Sequence, residues 1–171
     1  MRLINALVVI ALAAALGFIV LGMVTPEFEY SNEIYIAAPV NESYAVYQDP
    51  ERLGSWLDGF VSIQYLRGEP EAVGAVYRLT FEEGGETVIF TEEITGMTES
   101  ELVSVTLDNS VLTLDVSTRF ESEGDGTRIR AANTVRPKGL FYRALLSLTR
   151  GSMGARQASD FERLKTLIES S

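Results

Sequence analysis

The chain divides into two parts that differ in how hydrophobic and polar residues follow one another. Residues 3–24 contain no charged side chain, and Asn5 is the only strongly polar residue among them. As an α-helix, these 22 residues would span about 33 Å, slightly more than the roughly 30 Å hydrocarbon core of a bilayer. Pro26 ends the run, because proline cannot continue the helical hydrogen-bond ladder. We therefore predict a transmembrane helix with its linker over residues 1–26, followed by one domain over residues 27–171.

The charges that flank the apolar run predict its orientation. Arg2 precedes the run and Arg52 is the next basic residue, so the positive-inside rule places the N-terminus in the cytoplasm. The domain would then lie outside the cytoplasm, in the periplasm if the protein is bacterial. A cleaved signal peptide begins in the same way, but its apolar stretch covers only about 7–15 residues. We favour an uncleaved anchor over this alternative.

Small residues within the apolar run form a candidate contact surface. Ala13 and Gly17 stand four positions apart, a spacing that lets two membrane helices approach closely. We predict that these two residues contact the membrane or a membrane partner. The alternative is that small residues occur here only because they are common in membrane helices.

The second part of the chain begins with residues that alternate with a period of two. Residues 31–38 are predicted to form a first strand, which two short helices ending near Trp56 follow. Turn residues such as Gly84 and Gly85 separate the strand-like runs that come next. These six runs cover residues 61–66, 73–81, 87–95, 102–108, 111–120 and 127–135. The spacing predicts antiparallel strands joined by hairpins.

After Gly139 the apolar residues recur with helical spacing instead. They predict one long C-terminal helix, in which Gly151 and Gly154 mark either a bend or a close contact. A sheet with one apolar face must bury that face against another layer, and this helix is the only large element available. The predicted fold class is therefore α+β.

The composition excludes several kinds of chemistry. The 171 residues include no cysteine and no histidine. Disulfides, thiol nucleophiles, histidine bases and zinc sites of the usual Cys/His kind are therefore ruled out. The net charge of −10 argues against nucleic-acid binding, which requires basic surface. We expect no cofactor, no metal site and no catalytic residues, although a metal site built only from oxygen ligands is formally possible.

Charge is distributed unevenly along the domain. Residues 27–127 hold 21 acidic and 4 basic side chains, whereas residues 128–165 hold 9 basic and 2 acidic ones. We predict that four arginines share an outward-facing side of the C-terminal helix and contact anionic lipid or an acidic partner. They are Arg143, Arg150, Arg156 and Arg163. The alternative is that the basic region pairs with acidic loops of the same domain.

Several short motifs, taken in order, resemble those of a known superfamily. They are residues 34–40 (IYIAAPV), 47–56 (YQDPERLGSW), 68–77 (GEPEAVGAVY), 124–128 (GDGTR) and 161–165 (FERLK) with Glu169. With the order of elements, they resemble the SRPBCC or START-like superfamily, which includes birch-pollen-allergen-like and polyketide cyclase/dehydrase-type proteins. The resemblance implies a helix-grip fold, in which a curved seven-stranded antiparallel sheet wraps a long C-terminal helix. It also implies a cavity between them for apolar ligands such as lipids, sterols, polyketides or quinones.

The phase of the residues along strands and helix predicts which side chains line this cavity. The apolar candidates are Leu112, Leu114, Val116, Ile129, Phe141, Leu145 and Leu148, and the polar or aromatic candidates are Trp56, Tyr77, Glu92 and Asn133. A carboxylate facing the cavity would have a raised pKa, unless Glu92 has an arginine partner or lies at the rim. Asn133 would meet either a ligand or a structural hydrogen-bond partner. The two aromatic rings would either line the cavity or belong to the core.

Three classes of function fit these features. The first is a membrane-anchored, non-catalytic domain that binds or carries an apolar ligand such as a lipid or quinone. The second is an accessory subunit of a larger membrane protein complex, held by its helix and its charged surface. The third is a cyclase- or dehydratase-type enzyme, which we favour least because no convergent acid–base pair is visible. The expected partners are the bilayer, a small apolar ligand and, in the second class, a membrane protein complex.

Overall fold

The alternating segments of the sequence pair into one antiparallel sheet. The computed structural model of the protein describes residues 2–170. Its strands are β1 (Phe28–Ile36), β2 (Phe60–Arg67), β3 (Val76–Glu83), β4 (Glu86–Thr98), β5 (Leu102–Asp108), β6 (Leu112–Glu123) and β7 (Gly126–Pro137). Its helices are α1 (Arg2–Val24), α2 (Val40–Gln48), α3 (Leu53–Trp56) and α4 (Leu140–Glu169). The strands lie in the order β1-β7-β6-β5-β4-β3-β2, and the predicted α+β helix-grip arrangement is confirmed.

The first strand begins earlier than the alternation of residues 31–38 predicts. β1 starts at Phe28, which pairs with Val135 of β7 and is buried. Phe28 and Val135 form a small apolar cluster with Leu112, and Leu146 of α4 packs against it. Burial of one aromatic side chain therefore extends the strand towards the end of α1.

The C-terminal helix covers one side of the sheet more than the other. α4 is a single helix that continues through Gly151 and Gly154 without a break. In its second half, Phe161 and Leu164 are buried in the main core, together with Ile129 of β7. Among the strands, α4 packs most extensively on β1. The helix thus lies over the β1–β7 side and leaves space above β3, β4 and β5.

The N-terminal helix packs against the beginning of α4. The ring of Phe18 lies 5.7 Å from the ring of Phe141, measured between centroids. The hydroxyl of Ser147 donates a hydrogen bond to the hydroxyl of Thr25 at 3.0 Å. Gly22 permits this approach, because a side chain at position 22 would collide with the backbone oxygen of Leu140.

Most of α1 beyond this contact is uncovered. Within the described residues, the one helix long and apolar enough to cross a membrane is Asn5–Val24, which fits a membrane anchor or a signal sequence. Ala13 and Gly17 are both exposed, and no atom lies within 4 Å of the position that a Cβ of Gly17 would take. The small residue of α1 that meets α4 is Gly22. Contacts of Ala13 and Gly17 with the membrane or a membrane partner remain predictions.

Candidate functional site

A cavity lies between the sheet and the helices, in the space that α4 leaves uncovered. Its volume is about 240 Å³, and β3, β4 and β5, α2 and α3, and the second half of α4 contribute to its wall. Apolar side chains of the wall include Leu79, Phe81, Ile94, Val105, Leu107 and Phe161. Its polar lining consists of Gln48, Glu71, Tyr77, Glu92, Gln157 and Asp160, with Tyr47 and Trp56 beside them. The outer surface also has two depressions, which are more open to solvent than this cavity. One lies at residues 99–101 and 119–122, and the other at residues 87–91 and 108–111.

Four of the eleven residues predicted for the cavity lie on its wall. They are Trp56, Tyr77, Glu92 and Val116. The other seven lie elsewhere, and their predicted position is corrected here: Leu112, Leu114, Ile129, Asn133, Phe141, Leu145 and Leu148. The period of a strand determines which face a residue occupies, but not whether the helix above covers that part of the sheet. Because α4 lies over β1 and β7, the inward residues of β7 and of the start of β6 become core instead of cavity wall.

The three helix residues were misplaced for a related reason. Phe141, Leu145 and Leu148 are 61%, 38% and 66% exposed and lie on the first turns of α4, beside α1. The helical stripe in the sequence is continuous, but only the second half of α4 reaches the cavity. Its first half extends past the cavity to the end of α1.

Asn133 has a structural partner. Its side-chain amide and that of Gln157 on α4 exchange two hydrogen bonds, at 2.8 and 3.1 Å. The amide of Asn32 on β1 also donates to Gln157, at 2.9 Å, and to the backbone oxygen of Gly154, at 3.0 Å. This partly buried network joins α4 to β1 and β7, and Gln157 also contributes to the cavity wall.

Glu92 places a carboxyl group in an apolar part of the cavity. It lies on β4, opposite Tyr77 of β3 and Leu107 of β5. Burial raises the pKa of Glu92 from 4.5 to about 7, and within residues 2–170 neither a hydrogen bond nor an arginine offsets this effect. The group therefore carries a proton during part of the time at neutral pH. A protonated carboxyl group can donate a hydrogen bond to a carbonyl or hydroxyl oxygen of a ligand.

Aromatic residues form the wall where α2 and α3 meet the cavity. The ring of Tyr47 lies 5.3 Å from Trp56 and 5.2 Å from Phe120, between centroids. Burial raises the pKa of Tyr47 to about 12, a hydrogen bond with Thr118 opposes this, and the nearby Glu92 charge adds to it. Trp56 is buried, and its indole N–H has no acceptor among the described residues. Since buried donors are nearly always paired, this N–H is a second group suited to a ligand acceptor.

A more polar region lies where α4 meets α3. The backbone N–H of Asp58 donates to the carboxylate of Asp160 at 3.1 Å, and Arg163 lies 3.1 Å from the same carboxylate. Burial nevertheless raises the pKa of Asp160 above its usual value, against the effect of these partners. Sequence reasoning missed Asp160, Gln157 and Tyr47 as wall residues. A signal was present, since Gln157 and Asp160 are polar, stand three residues apart and so share a face of the helix with the apolar Phe161 next to Asp160.

The four arginines of α4 do not form one outward-facing group. Arg156 pairs with Glu83 at 2.5 Å and donates to the backbone oxygen of Asp58 at 2.9 Å. Arg163 lies 3.2 Å from the carboxylate of Asp58. These two arginines are therefore neutralised within the domain. Arg143 and Arg150 have no acidic partner within 4 Å among the described residues.

The basic last strand is also compensated within the sheet. Arg130 pairs with Glu33 at 3.1 Å and with Glu121, and Arg136 pairs with Glu27 at 3.2 Å and with Asp115. Among residues 2–170, no group of three or more acidic side chains is arranged to hold a metal ion. The chemistry available in the cavity is thus that of an apolar wall with a few hydrogen-bonding groups.

A sheet that grips a C-terminal helix, with a cavity between the two, defines a helix-grip domain of the SRPBCC type. The chain belongs to the family described as polyketide cyclase / dehydrase and lipid transport, whose profile matches residues 27–169. This finding confirms the superfamily that the sequence motifs resemble. A comparison with curated protein sequences found no match.

Solved structures share the fold at low sequence identity. TTHA0849 from Thermus thermophilus is 21% identical, with a TM-score of 0.69, over 84% of this chain and 98% of that one. Ara h 8.0201 is 17% identical, with a TM-score of 0.63, over 85% of this chain and 99% of that one. The di-domain ARO/CYC BexL from the BE-7585A biosynthetic pathway is 14% identical, with a TM-score of 0.66, over 96% of this chain and 58% of that one. At these identities the likeness establishes the fold alone.

Proposed function

We propose that the protein is a membrane-anchored, non-catalytic domain that binds and carries a small apolar ligand. The cavity is the main support for this proposal. Its wall is largely apolar, and two hydrogen-bonding groups, the Glu92 carboxyl group and the Trp56 indole N–H, have no partner among the described residues. The ligand that fits such a wall is apolar and carries one or two oxygen acceptors, as a quinone does.

The size of the cavity limits the ligand further. Ligand pockets commonly have volumes of about 300–1,000 Å³, and this cavity has a volume of about 240 Å³. A compact ring system fits better than a whole phospholipid. A long-chain ligand would place its head group in the cavity and leave its tail outside.

The apolar helix Asn5–Val24 supports membrane anchoring. It joins the domain through only a few residues, since β1 begins at Phe28. A cavity held so close to a bilayer would exchange ligand with the phase in which apolar molecules concentrate, and the anchor would raise its effective concentration there.

The hydroxyl groups near Glu92 favour binding over catalysis. The Tyr47 hydroxyl is hydrogen-bonded to Thr118 at 2.9 Å, and the Tyr77 hydroxyl accepts a hydrogen bond from the backbone N–H of Glu71 at 2.8 Å. A cyclisation or dehydration requires at least one acid and one base that converge on the substrate. Glu92 could serve as one of them, but both tyrosine hydroxyl groups are already engaged in structural contacts. Asp160, the other wall carboxyl group with a raised pKa, is held by the backbone N–H of Asp58 and by Arg163.

The single tryptophan provides a direct assay of ligand binding. The chain contains one tryptophan, and Trp56 lies on the cavity wall. Full-length protein in detergent micelles would be titrated with 2-methyl-1,4-naphthoquinone while Trp56 fluorescence is recorded. We expect saturable quenching, because a quinone in the cavity would lie close to the indole ring.

Two valine variants separate cavity binding from partition of the quinone into the micelle. Val116→Phe fills part of the cavity and should abolish the saturable component, whereas Val61→Phe, on an exposed position of β2, should retain it. Quenching that never saturates in the parent protein, or that is identical in a stably folded Val116→Phe variant, would contradict the proposal.

A further inference from the structure

The first turns of α4 leave large apolar side chains uncovered. Leu140, Phe141, Leu145 and Leu148 are 50%, 61%, 38% and 66% exposed. Phe141, Leu145 and Leu148 follow one another at steps of four and three residues, so they lie on one face of the helix. We call these three residues the apolar face of α4. A contiguous face of this kind, unlike a single exposed leucine, indicates an interaction surface.

This face is continuous with the surface of α1. Phe18 contacts Phe141, and Thr25, just after the end of α1, contacts Ser147. Together with the close approach of Gly22 to the backbone of Leu140, these contacts show that the end of α1 packs against the first two turns of α4. The N-terminus of α4 therefore lies beside the apolar helix Asn5–Val24, at the level of Phe18 and Gly22.

The position of the contacts along α1 defines how deep α4 would reach. Phe18 lies six residues before Val24, where the apolar helix Asn5–Val24 ends, and this corresponds to about 9 Å at about 1.5 Å per residue. The backbone of Leu140 meets Gly22 only two residues, or about 3 Å, from the same end, and the ring of Phe141 reaches the level of Phe18. Ser147, next to Leu148, meets Thr25 just beyond the end of the span.

The charges on α4 fit the same placement. Arg143 and Arg150 are seven residues apart and thus share a side of the helix that lies away from Phe141. Neither has an acidic partner among the described residues, in contrast to Arg156 and Arg163 further along the helix. These arginines lie on the side of α4 opposite the apolar face, and unpaired arginines at the level of lipid headgroups complement lipid phosphate groups.

We propose that the first turns of α4 form a second membrane-contacting element, whose apolar face inserts into the lipid boundary beside α1. This inference rests on the membrane anchoring proposed above. The occupant of the face is a phospholipid bilayer, because the face adjoins the last residues of the apolar helix Asn5–Val24. The contact holds the domain in one orientation on the membrane, with the turn between β7 and α4 facing the lipid.

The absence of cysteine from the chain allows each position to be probed singly. Full-length variants Phe141→Cys, Leu145→Cys and Leu148→Cys would be labelled with the fluorophore NBD and placed in phosphatidylcholine–phosphatidylglycerol liposomes. Quenching by brominated acyl chains would then report contact with lipid. Ser122→Cys serves as the control, since it is exposed at the opposite end of β6 from Leu112.

We expect quenching to be strongest at position 141, weaker at position 148, and at least about threefold stronger at 141 than at 122, because Phe141 meets α1 inside its apolar span and Ser147 meets it beyond that span. Leu12→Cys, in the middle of α1, reports anchoring itself. Quenching at position 12 but not at 141, 145 and 148 would overturn the α4 contact and leave the anchor intact. No quenching at position 12 would overturn both.

A protein partner would give a different result. If the apolar face binds a second copy of the chain, labels at 141 and 148 would shift to the blue only as the protein-to-lipid ratio rises, and brominated lipid would not quench them. That outcome would contradict the lipid contact. Replacement of Arg143 and Arg150 by glutamine should reduce quenching at position 148 in anionic liposomes and leave it unchanged in neutral ones, if the arginines meet lipid phosphates.

Discussion

Glu92 is the residue whose environment departs most from that of an ordinary surface carboxylate. It faces the cavity from the middle of β4, and burial raises its pKa to about 7. The proton state of Glu92 decides whether this position on β4 presents a hydrogen-bond donor or a negative charge to the cavity. A neutral ligand with an oxygen acceptor would be favoured by the protonated form.

Replacing Glu92 with glutamine should remove a pH-dependent loss of stability. Below about pH 4.5 the carboxyl group is protonated in both the folded and the unfolded chain, so it contributes no penalty there. As the pH rises from about 4.5 to about 7, the unfolded chain loses its proton first, and the folded state becomes less stable by about 3 kcal/mol. At pH 8, Glu92→Gln should therefore be more stable than the parent by up to this amount.

Thermal unfolding at pH 5 and pH 8 would measure the effect. Glu93→Gln is the matched control, because the neighbouring Glu93 lies on the other face of β4. The pH dependence should be reduced in Glu92→Gln and unchanged in Glu93→Gln. Equal pH dependence in all three proteins would show that Glu92 ionises freely and that the cavity is not apolar around it.

At the scale of the elements, α4 has two halves with different roles. Its second half holds Leu164, which is fully buried in the core, and contributes Gln157 and Asp160 to the cavity wall. Its first half carries the exposed Phe141, Leu145 and Leu148 beside α1. One continuous helix thus links the core and cavity of the domain to the candidate membrane surface.

Substitutions in the two halves should have different consequences for stability. Leu164→Ala should destabilise the protein by about 2–5 kcal/mol, because it removes buried methyl groups and leaves a cavity in the core. Leu148→Ala, which changes an exposed side chain of the same type, should alter the free energy of unfolding by less than about 0.5 kcal/mol. Denaturant unfolding of both proteins in detergent would test this, and equal losses would contradict the division of α4.

The elements were predictable from the sequence, but the site was predictable only in part. Strand alternation and the change to helical spacing after Gly139 indicated the strands, the hairpins that join consecutive strands and the final helix, whereas the seven-stranded sheet was implied by the family resemblance. They also placed Tyr77, Glu92 and Val116 on the inner face of the sheet. The periodicity of the sequence does not show which strands α4 covers, however. Because α4 covers β1 and β7, Ile129 is a core residue. A hydrogen bond between distant residues, such as that of Asn133 with Gln157, is equally invisible in a local pattern.

At the scale of the whole molecule, folding brings most of the basic side chains of β7 next to acidic ones, although the two kinds lie in different parts of the sequence. The basic last strand lies between the acidic strands β1 and β6, where Arg128, Arg130 and Arg136 form ion pairs. Such exposed pairs contribute only about 0–1 kcal/mol each. Arg143 and Arg150 are left without such partners among the described residues, at the end of α4 that adjoins α1.

Native mass spectrometry of the full-length protein, purified from its own membrane in detergent, tests the ligand-binding proposal most directly. After the detergent is stripped, we predict a population with the mass of the chain plus one small apolar molecule. The same adduct should persist in Val61→Phe and be lost in Val116→Phe, because only the second substitution fills the cavity. A parent protein that carries no adduct even after incubation with apolar extract, or an adduct that survives Val116→Phe unchanged, would contradict the account.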